Sequence, residues 1–149
     1  MVEKNNLEII IENLDSDTNL QEYIEEVIVE ENFRDPEQSL YDEEGKFIYN
    51  KALIDFLKSN ESIASLSNDE FNLLLDMVVK NILHRIETKG YAHTRAMEGA
   101  YNEEYRSYYG GSTESTYGHL FERYLYDFNY NKSMSDFYAE YLDEKEKKK

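Results

Sequence analysis

Apolar residues recur at helical spacing along most of this chain. Leu7, Ile10, Ile11 and Leu14 fall at i, i+3, i+4 and i+7 and predict a short helix, although the run Leu-Glu-Ile-Ile-Ile also suits a strand. Asp15-Ser-Asp-Thr18 breaks the pattern, and Thr18 with Gln21 predicts a capping box. Leu20, Tyr23, Ile24, Val27 and Ile28 then mark one face of an amphipathic helix. It should end before Asp35-Pro36, because the residue preceding proline avoids the helical region. Residues 40–49 are the least helical stretch, and Gly45 between Leu40-Tyr41 and Lys46-Phe-Ile-Tyr49 predicts a small β-hairpin packed on helices. Leu53, Ile54, Phe56 and Leu57 predict another short helix, ending near Asn60.

Ser67 and Glu70 form a second capping box, after which Phe71, Leu74, Leu75, Val78, Val79, Ile82, Leu83 and Ile86 keep helical spacing. With Leu73 and Met77 on the other side, this helix, over about 69–88, should be central, and Gly90 should cap its end. Three more helices follow in the pattern: one through Met97, Tyr101, Tyr105, Tyr108 and Tyr109, stopped by Gly110-Gly111; one through Tyr117, Leu120, Phe121, Tyr124, Leu125 and Phe128, capped at Ser112 or Thr113; and one through Phe137, Tyr138, Tyr141 and Leu142, capped at Ser133 or Ser135. The expected fold is mainly α: a compact bundle of about six helices in a single domain over 1–142, with a small hairpin near 40–49 and a frayed charged tail at 143–149.

Charge changes this picture more than any motif does. The net charge is −16 over 149 residues. Residues 1–45 hold fifteen Asp and Glu against Lys4 and Arg34 alone, whereas eleven of the fourteen tyrosines lie between Tyr91 and Tyr141. Such a charge repels nucleic acid and anionic membrane and favours a basic partner. No apolar run approaches the length of a membrane span, and the acidic N-terminus does not read as a signal peptide, so a cytoplasmic protein of a bacterial cell or phage-infected host is expected. The Asn, Ile, Lys, Glu and Tyr bias points weakly to an AT-rich genome or its mobile elements.

Catalytic chemistry finds little support. With no cysteine, thiol nucleophiles and cysteine-ligated metals are excluded. Asp15-Ser-Asp17-Thr-Asn19 has the opening of a calcium loop, with Glu26 at the twelfth position. Leu20, however, stands where that loop needs glycine, and a polar helix cap is the simpler reading. His84 with Glu87 and His119 with Glu122 share helix faces at i, i+3, in the reverse order of the Glu-x-x-His di-iron pattern. Gly110-Gly111-Ser-Thr is too short for a phosphate loop. The sequence therefore predicts no catalytic residue, no cofactor and no metal.

The acidic surface is the stronger feature. From Asp17 to Glu31 there are six carboxylates in fifteen residues. On a straight helix that is one charge per roughly 3.7 Å, near the spacing of about 3.4 Å along a nucleic-acid strand. The expected partner-binding residues are Asp17, Glu22, Glu25, Glu26, Glu30 and Glu31 around an exposed Val29, then Asp42, Glu43 and Glu44, with Tyr126 and Tyr130 as aromatic contacts. Reversing Glu22, Glu25 and Glu26 should abolish binding without loss of helix. The function expected is that of an acidic inhibitor from a phage or mobile element which occupies a basic nucleic-acid-binding surface, in the manner of anti-restriction or anti-CRISPR DNA mimics. This is a likeness of charge and size and rests on no shared motif. The alternatives are an antitoxin or immunity protein that neutralises a basic partner, and a small structural or regulatory phage component. No direct contact with nucleic acid or membrane is expected.

Overall fold

A computed structural model describes residues 6–34, 41–101 and 113–147. The class is mainly α. Helix α1 spans Asn6–Asp15 and buries Leu7, Ile10, Ile11 and Leu14, so the four apolar positions at helical spacing outweigh the strand-like run. After a two-residue break, α2 (Thr18–Glu22) leads directly into a π-helix (Tyr23–Val29) and a last α turn, α3 (Glu30–Asn32). The N-cap is Asp17, which accepts from Leu20 N at 3.1 Å; the expected Thr18–Gln21 box does not form, and Gln21 instead donates to Leu14 O.

Asp15 reaches across to the far end of the chain. Its carboxylate accepts from the backbone of Met134 and Ser135 and from Ser135 Oγ, at the first turn of the last helix. That turn also has its own cap: Ser133 and Asp136 exchange hydrogen bonds at 2.9 and 3.2 Å. An anion is favoured at a helix N-terminus, where donors lack intrahelical partners. Asp15→Ala should therefore lower the stability of the whole chain by about 1–2 kcal/mol in urea unfolding. An unchanged midpoint would show that Ser133 and Asp136 suffice.

Residues 41–49 form a turn and not a ladder. One isolated antiparallel bridge joins Tyr41 to Phe47, and among the described residues there is no strand. Asp42 closes the turn by accepting from Glu44 N and Lys46 N, both at 2.9 Å, and Gly45 supplies the positive φ of 82°. Helix α4 (Asn50–Lys58) and the single turn α5 (Glu61–Ala64) follow, burying Leu53, Leu57 and Ile63.

Helix α6 runs Asn68–Ala100 from the Ser67–Glu70 capping box. Leu74, Met77, Val78, Ile82 and Ile86 are buried along its first half, while Leu73, Leu75, Val79 and Leu83 are only half-buried. Gly90 does not cap it. The helix passes through Gly90 because Phe33 packs there: a Cβ on Gly90 would stand 2.8 Å from the Phe33 carbonyl oxygen. The glycine serves a close approach and not an end. The helix continues on Ala92, Ala96 and Ala100, whose small side chains let α7 (Thr113–Asp127) lie along it. Met97 thus belongs to α6; Tyr105, Tyr108, Tyr109 and the Gly110-Gly111 stop lie outside the described residues.

Helix α7 ends at Asp127, and Asn129, at φ 55°, turns the chain in the left-handed conformation, with Tyr130 N bonded back to Leu125 O at 3.0 Å. Helix α8 (Met134–Lys147) then packs on α1 and α6 through Met134 and Tyr138. It runs to Lys147, which pairs with Asp143 at 3.1 Å, within the segment expected to fray; 148–149 lie outside the described residues. Two side chains of α6 fasten the turn between α7 and α8: Asn81 donates to Lys132 O at 2.7 Å, and His84 Nε2 lies 2.8 Å from Asn129 O. This accounts for His84 without a metal.

Candidate partner-binding surface

The acidic helix is divided by its own π-turn. Here Glu30 N donates to Glu25 O, an i→i+5 bond in place of the usual i→i+4. At about 100° per residue, Val29 would stand roughly 140° from Ile24, on the solvent side. The wider turn brings it inward. Val29 is 0% exposed and joins Leu20, Ile24 and Ile28 in the core, whereas Val27 is 38% exposed. The expectation of an exposed Val29 is therefore corrected: the valine among the carboxylates is Val27.

The same turn withdraws two carboxylates from the surface array. Glu25 and Glu30 both bind the ammonium of Lys89, which α6 presents on its buried stripe at 7% exposure. Arg85, one turn earlier, approaches Glu25 at 3.9 Å and donates to Gln21. Tyr130 donates its hydroxyl to Glu25. The ammonium also lies 5.3 Å from the Phe33 ring and 6.0 Å from that of Tyr130. Two cations thus balance two carboxylates. Burial pulls the Lys89 amine down, but the hydrogen bonds to Glu25 and Glu30 outweigh it and hold the ammonium above its usual value. Burial, then the bond to Glu25, pushes the Tyr130 phenol well above its usual value, so it remains a donor. Tyr130 is accordingly an internal strut and not the exposed contact expected of it, because the chain leaves the α7 face at Asn129 before reaching it.

What remains at the surface is narrower than the sequence implied. Glu22, Glu26 and Glu31 are exposed around Val27, with Glu30 exposed in part though paired. Glu31 accepts from Tyr49 Oη, which in turn accepts from the buried Asn32 Nδ2 and ties the end of this segment to the 41–49 turn. Within that turn Asp42, Glu43 and Glu44 are exposed; Asp42 is the turn's acceptor, and Glu44 has a loose 3.8 Å pairing with Lys46. Asp17 is spent as a helix cap. Tyr126 stands 81% exposed on α7.

Residues the sequence reading passed over are Arg85, Lys89 and His93. Their signal was present. Lys89 continues the stripe Ile82, Ile86 at i+4 and i+7, a position that asks for an internal partner. His93 lies edge-on to Phe33 and Tyr117, with Nδ1 2.5 Å from the Tyr117 hydroxyl. Burial, and then the charge of Arg34, lowers its pKa below the usual 6.5. A neutral His93 in the fold and a protonated one in the unfolded chain mean that stability is full above about pH 6.5 and is lost as pH falls through the lower folded value. His93→Phe should flatten this acid slope below about pH 6.5. A slope unchanged in thermal unfolding of that variant would assign it to other groups.

Among the described residues no group of three or more His, Asp or Glu is placed to hold a metal ion. A groove of about 370 Å³ beside α1 includes Asn13, Asn60 and Leu66, but its carboxylates Asp17 and Glu70 are both engaged as helix caps. No described helix is long and apolar enough to cross a membrane. Compared with models of protein families, with curated proteins and with solved structures, the chain matches none.

Proposed function

We propose that this protein is a binding inhibitor of DNA-mimic type, from a phage or mobile element, whose acidic face occupies a basic nucleic-acid-binding surface of a target protein. The observation that carries the reading is the cluster of exposed carboxylates Glu22, Glu26 and Glu31 around the exposed Val27, on a segment whose other two carboxylates are anchored to α6. Anchoring Glu25 and Glu30 gives that face a rigid base. A rigid array loses little conformational entropy on docking, and a central apolar side chain ringed by charge suits a cleft that pairs cations with a shallow apolar floor. The turn carrying Glu43 and Glu44, tied in through Tyr49 and Glu31, extends the negative surface.

Association driven by such a face weakens steeply with salt. Binding to a panel of purified basic nucleases and nucleic-acid-binding proteins, measured from about 50 to 500 mM salt, tests it. The expected result is one or more tight partners whose on-rate falls by at least tenfold across that range. Partners bound equally well at both ends, or no basic partner at all, would remove the reading.

A further inference from the structure

We infer that Lys89 is a register lock: its buried ammonium holds residues 23–29 in the π form and thereby decides which valine the acidic face presents. Glu25 and Glu30 are five residues apart. On a regular α-helix they would point about 140° apart, and one ammonium could not bind both. Here both bind Lys89, and the backbone bond that defines the wide turn joins the same two residues, Glu30 N to Glu25 O.

Burial of the two valines does not make this choice. The π form buries Val29 and exposes Val27; a regular helix would do the reverse, as the apolar pattern Leu20, Ile24, Val27, Ile28 itself predicts. One valine leaves the core as an identical one enters, so the apolar area gained and lost nearly cancels. A π-helix is rare because its backbone geometry is the poorer one, so something must hold it. The described groups that favour it are Lys89, with Arg85 and Tyr130 on Glu25, and Phe33 seated over Lys89 against Gly90. Removing the ammonium removes the one group that needs both carboxylates on the same side. The segment then reverts to the α register, which turns Val29 outward and Val27 inward.

The chain has no cysteine, so a single introduced thiol reports on a single site. Val27→Cys and Val29→Cys are made separately in the natural chain and together with Lys89→Met, and their rates with a thiol reagent are compared under native conditions. In the natural background the thiol at 27 should react at least about tenfold faster than the one at 29. With Lys89→Met the order should invert, the rate at 29 rising and that at 27 falling. Continued protection at 29 in a folded Lys89→Met chain would overturn the inference. So would a parallel rise at both sites, which is general loosening and not an exchange of registers. Glu30→Gln, at a partly exposed side chain, keeps the test open should Lys89→Met not fold. It should shift both rates in the same opposed directions by a smaller factor, and unchanged rates there would count against the lock.

Discussion

The triple reversal of Glu22, Glu26 and Glu31 to lysine is expected to weaken binding of the proposed basic partner by at least a hundredfold while far-UV circular dichroism stays unchanged. All three side chains are exposed. Among the described residues Glu22 and Glu26 have no side-chain hydrogen bond or ion pair to lose, and Glu31 loses one 3.2 Å bond from Tyr49, so the helix keeps its caps and core. Against a basic surface each reversal replaces an attraction with a repulsion, and like charges brought together cost several kcal/mol in sum, more than the roughly 3 kcal/mol that a hundredfold requires. Glu25 is left out deliberately. Reversing it would set a second cation against Lys89 and Arg85 and would test folding instead of binding. Reversing Asp143, Glu144 and Glu146 on α8 makes the same change in net charge at the other end of the chain and should cost far less. Equal losses from both triples would mean that the partner reads total charge and no particular face.

The largest effect on stability is expected inside α6. Ile82 is fully buried on the stripe that meets the core, one turn before Ile86 and two before Lys89. Ile82→Ala removes three carbons from a packed site and should cost about 4 kcal/mol, since the backbone of a 33-residue helix fastened at the Asn81–Lys132 and His84–Asn129 contacts cannot collapse to fill the space. For a domain of this size that is a fall of roughly 10 °C in Tm. Urea unfolding should show a lower midpoint with an unchanged slope. A loss below about 1 kcal/mol would show that neighbouring side chains repack freely and that this part of the core is loosely filled.

The mainly α class was legible because apolar spacing is a direct consequence of burying one helix face. Leu7 to Leu14, Leu20 to Ile28 and Phe71 to Ile86 all carry it. Two kinds of feature were not legible. One is the register of 23–29. The sequence fits an ordinary helical wheel well, with Val27 inward, and the described groups that favour the other register, Lys89, Arg85, Tyr130 and Phe33 against Gly90, all lie outside residues 23–29. The other is the use of punctuation residues. Gly90 after Lys89 has the sequence of a helix end, yet serves a close contact within a continuous helix; Asp15 looks like part of a local cap, yet binds the first turn of α8, more than a hundred residues away. The candidate surface was half legible for the same reason. Counting carboxylates from Asp17 to Glu31 found the acidic segment, but charge density along a sequence does not reveal which charges are neutralised by partners arriving from elsewhere in the fold. Glu25 and Glu30 are so engaged, Asp17 caps its own helix, and Glu22, Glu26 and Glu31 remain at the surface.

Competition with duplex DNA decides whether the acidic face occupies a nucleic-acid cleft. Once a basic nucleic-acid-binding partner is in hand, its complex with this protein is titrated with a duplex that the partner binds alone, at about 100 mM salt, and all species are followed by size and mass. The expected result is mutual exclusion, with the protein released in proportion to the DNA bound and the Glu22, Glu26, Glu31 reversal failing to compete at all. A stable ternary complex of partner, duplex and this protein would contradict the claim.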